Sequence, residues 1–286
     1  MTNKMRIRHT VILFFLGSLL SYIFAAPCYS NGKLLATAGT STIEGSGGGG
    51  MVPWAMLSGY GTKDETVSSL YSTHINLSDF TMWSYGAAVS YHDRVELSAS
   101  QQTIQGKENA DPISMNTFGT KVRLYGDAVY SQWPQVSIGI QYKNVLDTDA
   151  ANSLEAKKNS GTDVYFSATK IWLDGLLHRN TLFNITLRNS DANQLGLLGF
   201  GGDNHHRRWL WESSAAVLIN RHWAVGAEYR MKPSNLSAVK EDDWKGTFIA
   251  YFPSKQLSIT FSYLQLGDVA GQRDQKGPYL SLQGAF

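Results

Sequence analysis

Hydrophobic and polar residues alternate along most of the chain with a period of two. In Trp223-Ala-Val-Gly-Ala-Glu-Tyr-Arg230, Trp223, Val225, Ala227 and Tyr229 fall on one face, and Ala224, Gly226, Glu228 and Arg230 on the other. Leu257–Tyr263, Val136–Tyr142, Thr181–Arg188 and Arg94–Ala99 follow the same rule. Such segments are β-strands with one apolar and one polar face. Extended along the chain, the pattern predicts about fourteen strands, near 33–43, 50–60, 67–77, 79–91, 93–104, 114–126, 135–143, 162–173, 180–189, 210–219, 222–231, 244–252, 257–265 and 278–286. No long amphipathic helix interrupts them.

The connections alternate as well. Short ones are expected at His92-Asp93, Ser131–Pro134, Asp174–Arg179, Asn220-Arg221 and Pro253–Lys255. Long ones are expected at Gly106–Ile113, Asn144–Gly161, Ser190–Arg208, Lys232–Asp243 and Gly267–Gly277. A soluble β-sandwich also alternates in side-chain polarity, but nothing makes it gather its short turns on one rim. A transmembrane antiparallel up-and-down β-barrel does so, and twelve strands are the alternative to fourteen. Trp83, Tyr91, Tyr142, Trp223, Tyr229 and Tyr263 lie near strand ends, where membrane interfaces favour amphipathic rings. The last strand, Tyr279-Leu-Ser-Leu-Gln-Gly-Ala-Phe286, alternates and stops on an aromatic residue. With Tyr279 and Phe286 it resembles the signal by which the outer-membrane barrel assembly machinery takes up its clients; the alternative is a plain edge strand.

Residues 1–30 are set apart as a secretory signal peptide, with Lys4, Arg6 and Arg8 before the apolar run Val11–Leu20 and small residues at Ala25 and Ala26. A lipoprotein acylated at Cys28 is the other reading, which Pro27 disfavours. Residues 31–286 are then the barrel domain. Loss of three basic residues leaves 22 against 23 acidic ones (25 − 3), so no basic surplus points to nucleic acid. Cys28 is the only cysteine and leaves with the signal, taking disulfide and thiol chemistry with it. Export, with aromatic residues at 12% and charged residues at 17%, suits a wall in contact with outer-membrane lipids of a Gram-negative cell.

Several segments resemble a known family: Val52-Pro-Trp-Ala55, Ser58-Gly-Tyr-Gly61, Asp93–Ser98, Phe118–Arg123, Gln194–Asp203, Ala224–Leu236 and Lys240-Glu-Asp-Asp-Trp244. The chain is similar there to an uncharacterised proteobacterial family of exported proteins of unknown function, thought to be outer-membrane barrels. The resemblance implies a Gram-negative origin and a barrel. It implies no activity, substrate or site residue.

If the apolar faces meet lipid, Arg94, Glu96, Lys121, Arg123, Arg188, Glu212, Glu228 and Arg230 point into the lumen as candidate pore-lining residues. Charges of both signs there set up a transverse field in a pore or pair to brace the wall. Gly45–Gly50 is a tight turn or part of a plug. Leu195, Leu197, Leu198 and Phe200 make an apolar stretch inside an outer loop and are expected to fold inward as a constriction. The acidic residues of 240–244 with Asp268 and Asp274 lack EF-hand spacing, and Asp203 with His205 and His206 lacks zinc spacing, so neither is assigned as a metal site. No cofactor motif is present. His74, beside Thr73 and Asn76, is the one histidine to consider for a lipid hydrolase, and no nucleophile-elbow motif accompanies it. The expected function is a passive porin-like channel for a small solute that the sequence does not identify. A non-conducting structural or surface-binding barrel is the alternative.

Overall fold

The computed structural model describes residues 32–108, 111–203 and 207–286. The signal-peptide reading of 1–30, with Cys28, and the His205-His206 pair lie outside the described residues.

Twelve antiparallel strands close into one barrel: β3 (Thr66–Asn76), β4 (Phe80–Tyr91), β5 (Val95–Gly106), β6 (Ile113–Tyr125), β7 (Gln135–Val145), β8 (Ser160–Trp172), β9 (Asn180–Ser190), β10 (Arg208–Leu218), β11 (Trp223–Arg230), β12 (Trp244–Tyr251), β13 (Leu257–Val269) and β14 (Gln272–Ala285). Each pairs with its neighbours in sequence, and β14 returns to β3 with Tyr279 opposite Ile75 and Ala285 opposite Ser69. Beyond the last ladder pair, Phe286 N donates to Ser68 O at 2.8 Å and Ser68 N to Phe286 O at 2.9 Å. Closure leaves no unpaired edge, as the absence of water at membrane depth demands.

The period-two pattern becomes inside against outside. Leu97, Phe118, Ile140, Phe166, Ile185, Ile249, Phe261, Leu280 and Leu282 point outward, each more than two-fifths exposed. Toward one rim they give way to Trp172, Trp223 and Tyr91, toward the other to Trp209, Trp211 and Tyr142, all exposed. Trp223 stacks on Tyr251 with centroids 4.4 Å apart, and Trp211 meets Tyr229 at 4.6 Å. An apolar band bordered by two aromatic girdles is the outer surface of a membrane-spanning barrel.

The two earliest expected strands are not in the wall. Residues 41–61 are buried without a break, whereas a wall strand must turn every second residue to lipid. This segment lies in the lumen, where it forms only the two-residue strands β1 (Thr40–Ser41) and β2 (Gly47–Gly48), paired Thr40 to Gly48 and Ser41 to Gly47. The wall therefore has twelve strands.

Loop lengths alternate between rims only in part: the β7–β8, β9–β10 and β11–β12 connections are long as expected, but the connection expected to be short at Ser131–Pro134 runs over 126–134, longer than 107–112 on the opposite rim. The predicted loop 267–277 is a strand hairpin, because β13 and β14 run on to Val269 and Gln272 through register shifts around Gly267. The short turn 77–79 on the long-loop rim lies against that extension. Gln275 on the projecting hairpin accepts the Asp79 N–H at 2.9 Å through Oε1, and its Nε2 donates to the Asp79 carboxylate at 2.5 Å.

Candidate functional site: a plugged lumen

The luminal segment folds against itself before it meets the wall. Gly48 permits this, because a Cβ there would stand 2.2 Å from the Val52 carbonyl oxygen. Polar wall side chains then hold the segment at many levels. Glu96 accepts the N–H groups of Gly47 at 3.0 Å and Ser58 at 2.7 Å. Glu228 accepts the Met51 N–H at 2.8 Å, and Gln283 accepts that of Ser41 at 2.5 Å. Lys121 Nζ donates to the carbonyls of Gly47 and Met56 at 2.7 and 2.9 Å and pairs with Glu96 at 3.2 Å. Trp54 Nε1 donates to Ser214 Oγ at 2.9 Å.

Toward the long-loop end of the plug, beneath the cap loop, stands Glu44, 1% exposed. Its carboxylate accepts Arg230 Nη1 at 2.6 Å, is bonded by Lys143 Nζ, and lies 3.5 Å from Arg188 Nη2. Asp163 pairs with Lys143 at 2.6 Å and Arg188 at 3.3 Å; Glu212 pairs with Arg188 at 2.6 Å and Arg230 at 3.3 Å. Three carboxylates thus balance three cations, and one of the carboxylates belongs to the plug. Burial alone would raise the Glu44 carboxyl; Arg230, Lys143 and Arg188 overcome that and hold it well below the usual carboxylate range.

Of the expected pore-lining residues, Glu96, Lys121, Arg188, Glu212, Glu228 and Arg230 are buried and face inward. Glu96, Lys121, Glu228 and Arg230 bond the plug backbone directly, and Arg188 approaches it through Glu44. Arg94 is a correction: it lies in the turn before β5, past the end of the wall, and is exposed to solvent. Arg123 lies at the short-turn rim, where it bonds Asp93 and donates to the Gly126 carbonyl at 2.6 Å and to Asp127 at 3.2 Å. Sequence reading missed Glu44, Lys143 and Asp163. Lys143 follows Gly139 and Gln141 on the inward face of β7, so extending the alternation by one step would have found it.

The outer loop folds inward. Leu195, Leu197, Leu198 and Phe200 are each at most 3% exposed. Phe200 lies over Gly161, where a Cβ would come within 2.3 Å of its ring. Lys143 ties this cap to the plug, since Nζ also donates to the Leu195 carbonyl at 2.9 Å. Glu241 accepts the Gln194 N–H at 2.9 Å and pairs with Lys232 at 3.0 Å. Beneath the cap an apolar pocket lined by Leu77, Phe80, Leu197, Leu198, Trp244 and Leu266 holds about 70 Å³.

The other candidates do not assemble. Asp242 accepts the Asp268 N–H at 3.1 Å, and Asp243 accepts that of Lys232 at 3.0 Å, so protein donors already engage the 240–244 acids. Among the described residues no group of three or more His, Cys, Asp or Glu could hold a metal ion. His74 lies on the outer face with its ring 4.2 Å from that of Trp83, while Thr73 is buried on the luminal face and donates to Ser281 at 2.8 Å.

Among solved structures, the chain is similar to the KdgM porin at 7% identity (TM-score 0.49), covering 76% of this chain and 99% of that one. It is similar to the Acinetobacter baumannii outer membrane protein Omp33 at 8% identity (TM-score 0.47), covering 79% and 100%. Outer membrane phospholipase A from Escherichia coli is similar at 9% identity (TM-score 0.36), covering 80% and 93%. No curated protein matches the chain. Residues 37–283 match the family model for the protein of unknown function DUF3034, and the chain belongs to that family.

Proposed function

We propose that this protein is a porin-like outer-membrane channel for small solutes, closed at rest by its own N-terminal segment and by the inward-folded loop 191–203. The observation that carries this reading is the chemistry of the plug–wall contact. Glu96, Lys121, Glu228, Gln283 and Ser214 hold the plug through hydrogen bonds, and Lys143, Arg188 and Arg230 through ion pairs to Glu44. Water can replace such bonds, at a net cost of about 0.5–1.5 kcal/mol for a neutral one and about 1.5–3 kcal/mol for one to a charged group. A wall stripped of its plug offers these polar side chains to water, beside an apolar patch (Leu182, Leu218, Ala224, Phe248 and Ala250) that belongs to the same buried cluster as Trp54 of the plug.

The cap over the long-loop mouth favours a second reading, a non-conducting barrel that binds at the cell surface through its outer loops. Proteoliposomes separate the two. A channel lets vesicles swell in an iso-osmotic small sugar and excludes a large polysaccharide. Folded, inserted barrels that leave the vesicles as tight as empty ones contradict the channel. Neither reading assigns the barrel a catalytic step. Lipids of the outer membrane and its assembly machinery are the partners both readings require.

A further inference from the structure

Strands β7, β9 and β11 bring Lys143, Arg188 and Arg230 around one carboxylate that is not part of the wall. We propose that these three cations form a binding site for a carboxylate, occupied by Glu44 while the barrel is closed and by the carboxylate of an anionic solute when the plug withdraws. The second half rests on the channel reading; the site itself does not.

Charge balance points there first. Within the cluster, Asp163 and Glu212 are the carboxylates the wall supplies against three cations, so removing Glu44 leaves a buried excess of one positive charge. An isolated buried charge is costly, and an anion entering the space relieves it. Geometry selects the kind of anion. Glu44 Oε2 takes Arg230 Nη1 at 2.6 Å while Lys143 bonds Oε1, so two separate oxygens of one planar group are read from two sides. A single negative charge restores neutrality, whereas a phosphate dianion overshoots it.

An independent observation lies beside the cluster. Gln141 Oε1 accepts Arg188 Nη1 at 2.7 Å, yet its buried Nε2 has no hydrogen-bond partner. A donor left unpaired in a closed site costs about 1–3 kcal/mol. It is available to a ligand larger than the Glu44 side chain, such as one bearing a hydroxyl near its carboxylate.

The test uses the full exported chain carrying Glu44→Ala, folded in detergent, with acetate as the probe. Thermal unfolding is compared in acetate and in chloride at equal ionic strength, and with acetamide as the uncharged analogue. Acetate at about ten times its dissociation constant should raise the Tm by about 3 °C or more, and acetamide should not. Wild type, whose site is filled, should ignore both. If Glu44→Ala does not fold, Glu44→Ser is measured in its place. Equal Tm values for acetate, chloride and acetamide in the folded variant overturn the site. A shift with acetate in a barrel that leaves vesicles tight supports the site and overturns the channel. A leaky barrel with no acetate shift does the reverse.

Discussion

Replacing Glu44 by Gln keeps the size of the side chain and removes one charge from the lumen beneath the cap. Arg230, Lys143 and Arg188 all lose an anionic partner, and the cluster goes from three against three to two carboxylates against three cations. Removing one member of a buried ion network costs about 3–5 kcal/mol. The glutamine oxygen still accepts one hydrogen bond, so the low end, about 3 kcal/mol, is expected. The cost falls on the plugged state and not on the wall, whose ladders do not involve Glu44. At about 1.4 kcal/mol per factor of ten, the population of plug-released barrels rises on the order of 100-fold. Amide hydrogen exchange reads this directly, because local opening sets the rate. The Ser41, Gly47 and Met51 amides, bonded to Gln283, Glu96 and Glu228, should exchange on the order of 100-fold faster. Those of Phe183 and Ile185 in β9 should not change. Unaltered exchange at all three plug amides, or equal acceleration in plug and wall, would refute the view that Glu44 latches a separable plug.

Gly48→Val places a branched side chain where even a Cβ meets the Val52 oxygen at 2.2 Å, so exchange should rise across 39–53 while the wall keeps its protection; a protected plug would show that the hairpin tolerates the change. Ile185→Arg puts a cation at the middle of β9 on the lipid face, and should cost about 2–4 kcal/mol in folding titrations into phospholipid, whereas Thr186→Ser on the luminal side should cost under about 1 kcal/mol. Deleting Phe286 removes both hydrogen bonds to Ser68 and the terminal ring, and should slow assembly into the outer membrane several-fold. Assembly at the wild-type rate would argue against Tyr279 and Phe286 as an uptake signal.

The wall was legible because a lipid-facing strand has no freedom in its pattern. Each of Trp223, Val225, Ala227 and Tyr229 had to be compatible with the outside, and Glu228 and Arg230 had to point in. The plug was illegible for the opposite reason. A segment enclosed on all sides is under no period-two constraint, so the short runs near 33–43 and 50–60 looked like strands although neither face of 41–61 meets lipid. Gly45–Gly50 carried the right hint, a backbone able to pack closely, but nothing in the glycines says against what. Arg94 was misplaced by a boundary, since alternation holds only inside a strand and β5 begins at Val95. Lys143 and Asp163 were readable from alternation alone. Their purpose was not, because it depends on a partner 99 residues away from Lys143 in the chain.

Single-barrel current in a planar bilayer tests the central claim most directly, with wild type compared against Glu44→Gln. A channel closed by its own plug predicts long closed intervals with brief openings in wild type. The variant should show the same unit conductance and an open fraction at least about tenfold higher, since the lost charge weakens the closed state. Correctly inserted barrels that pass no current in either form would contradict the account, as would equal open fractions in the two.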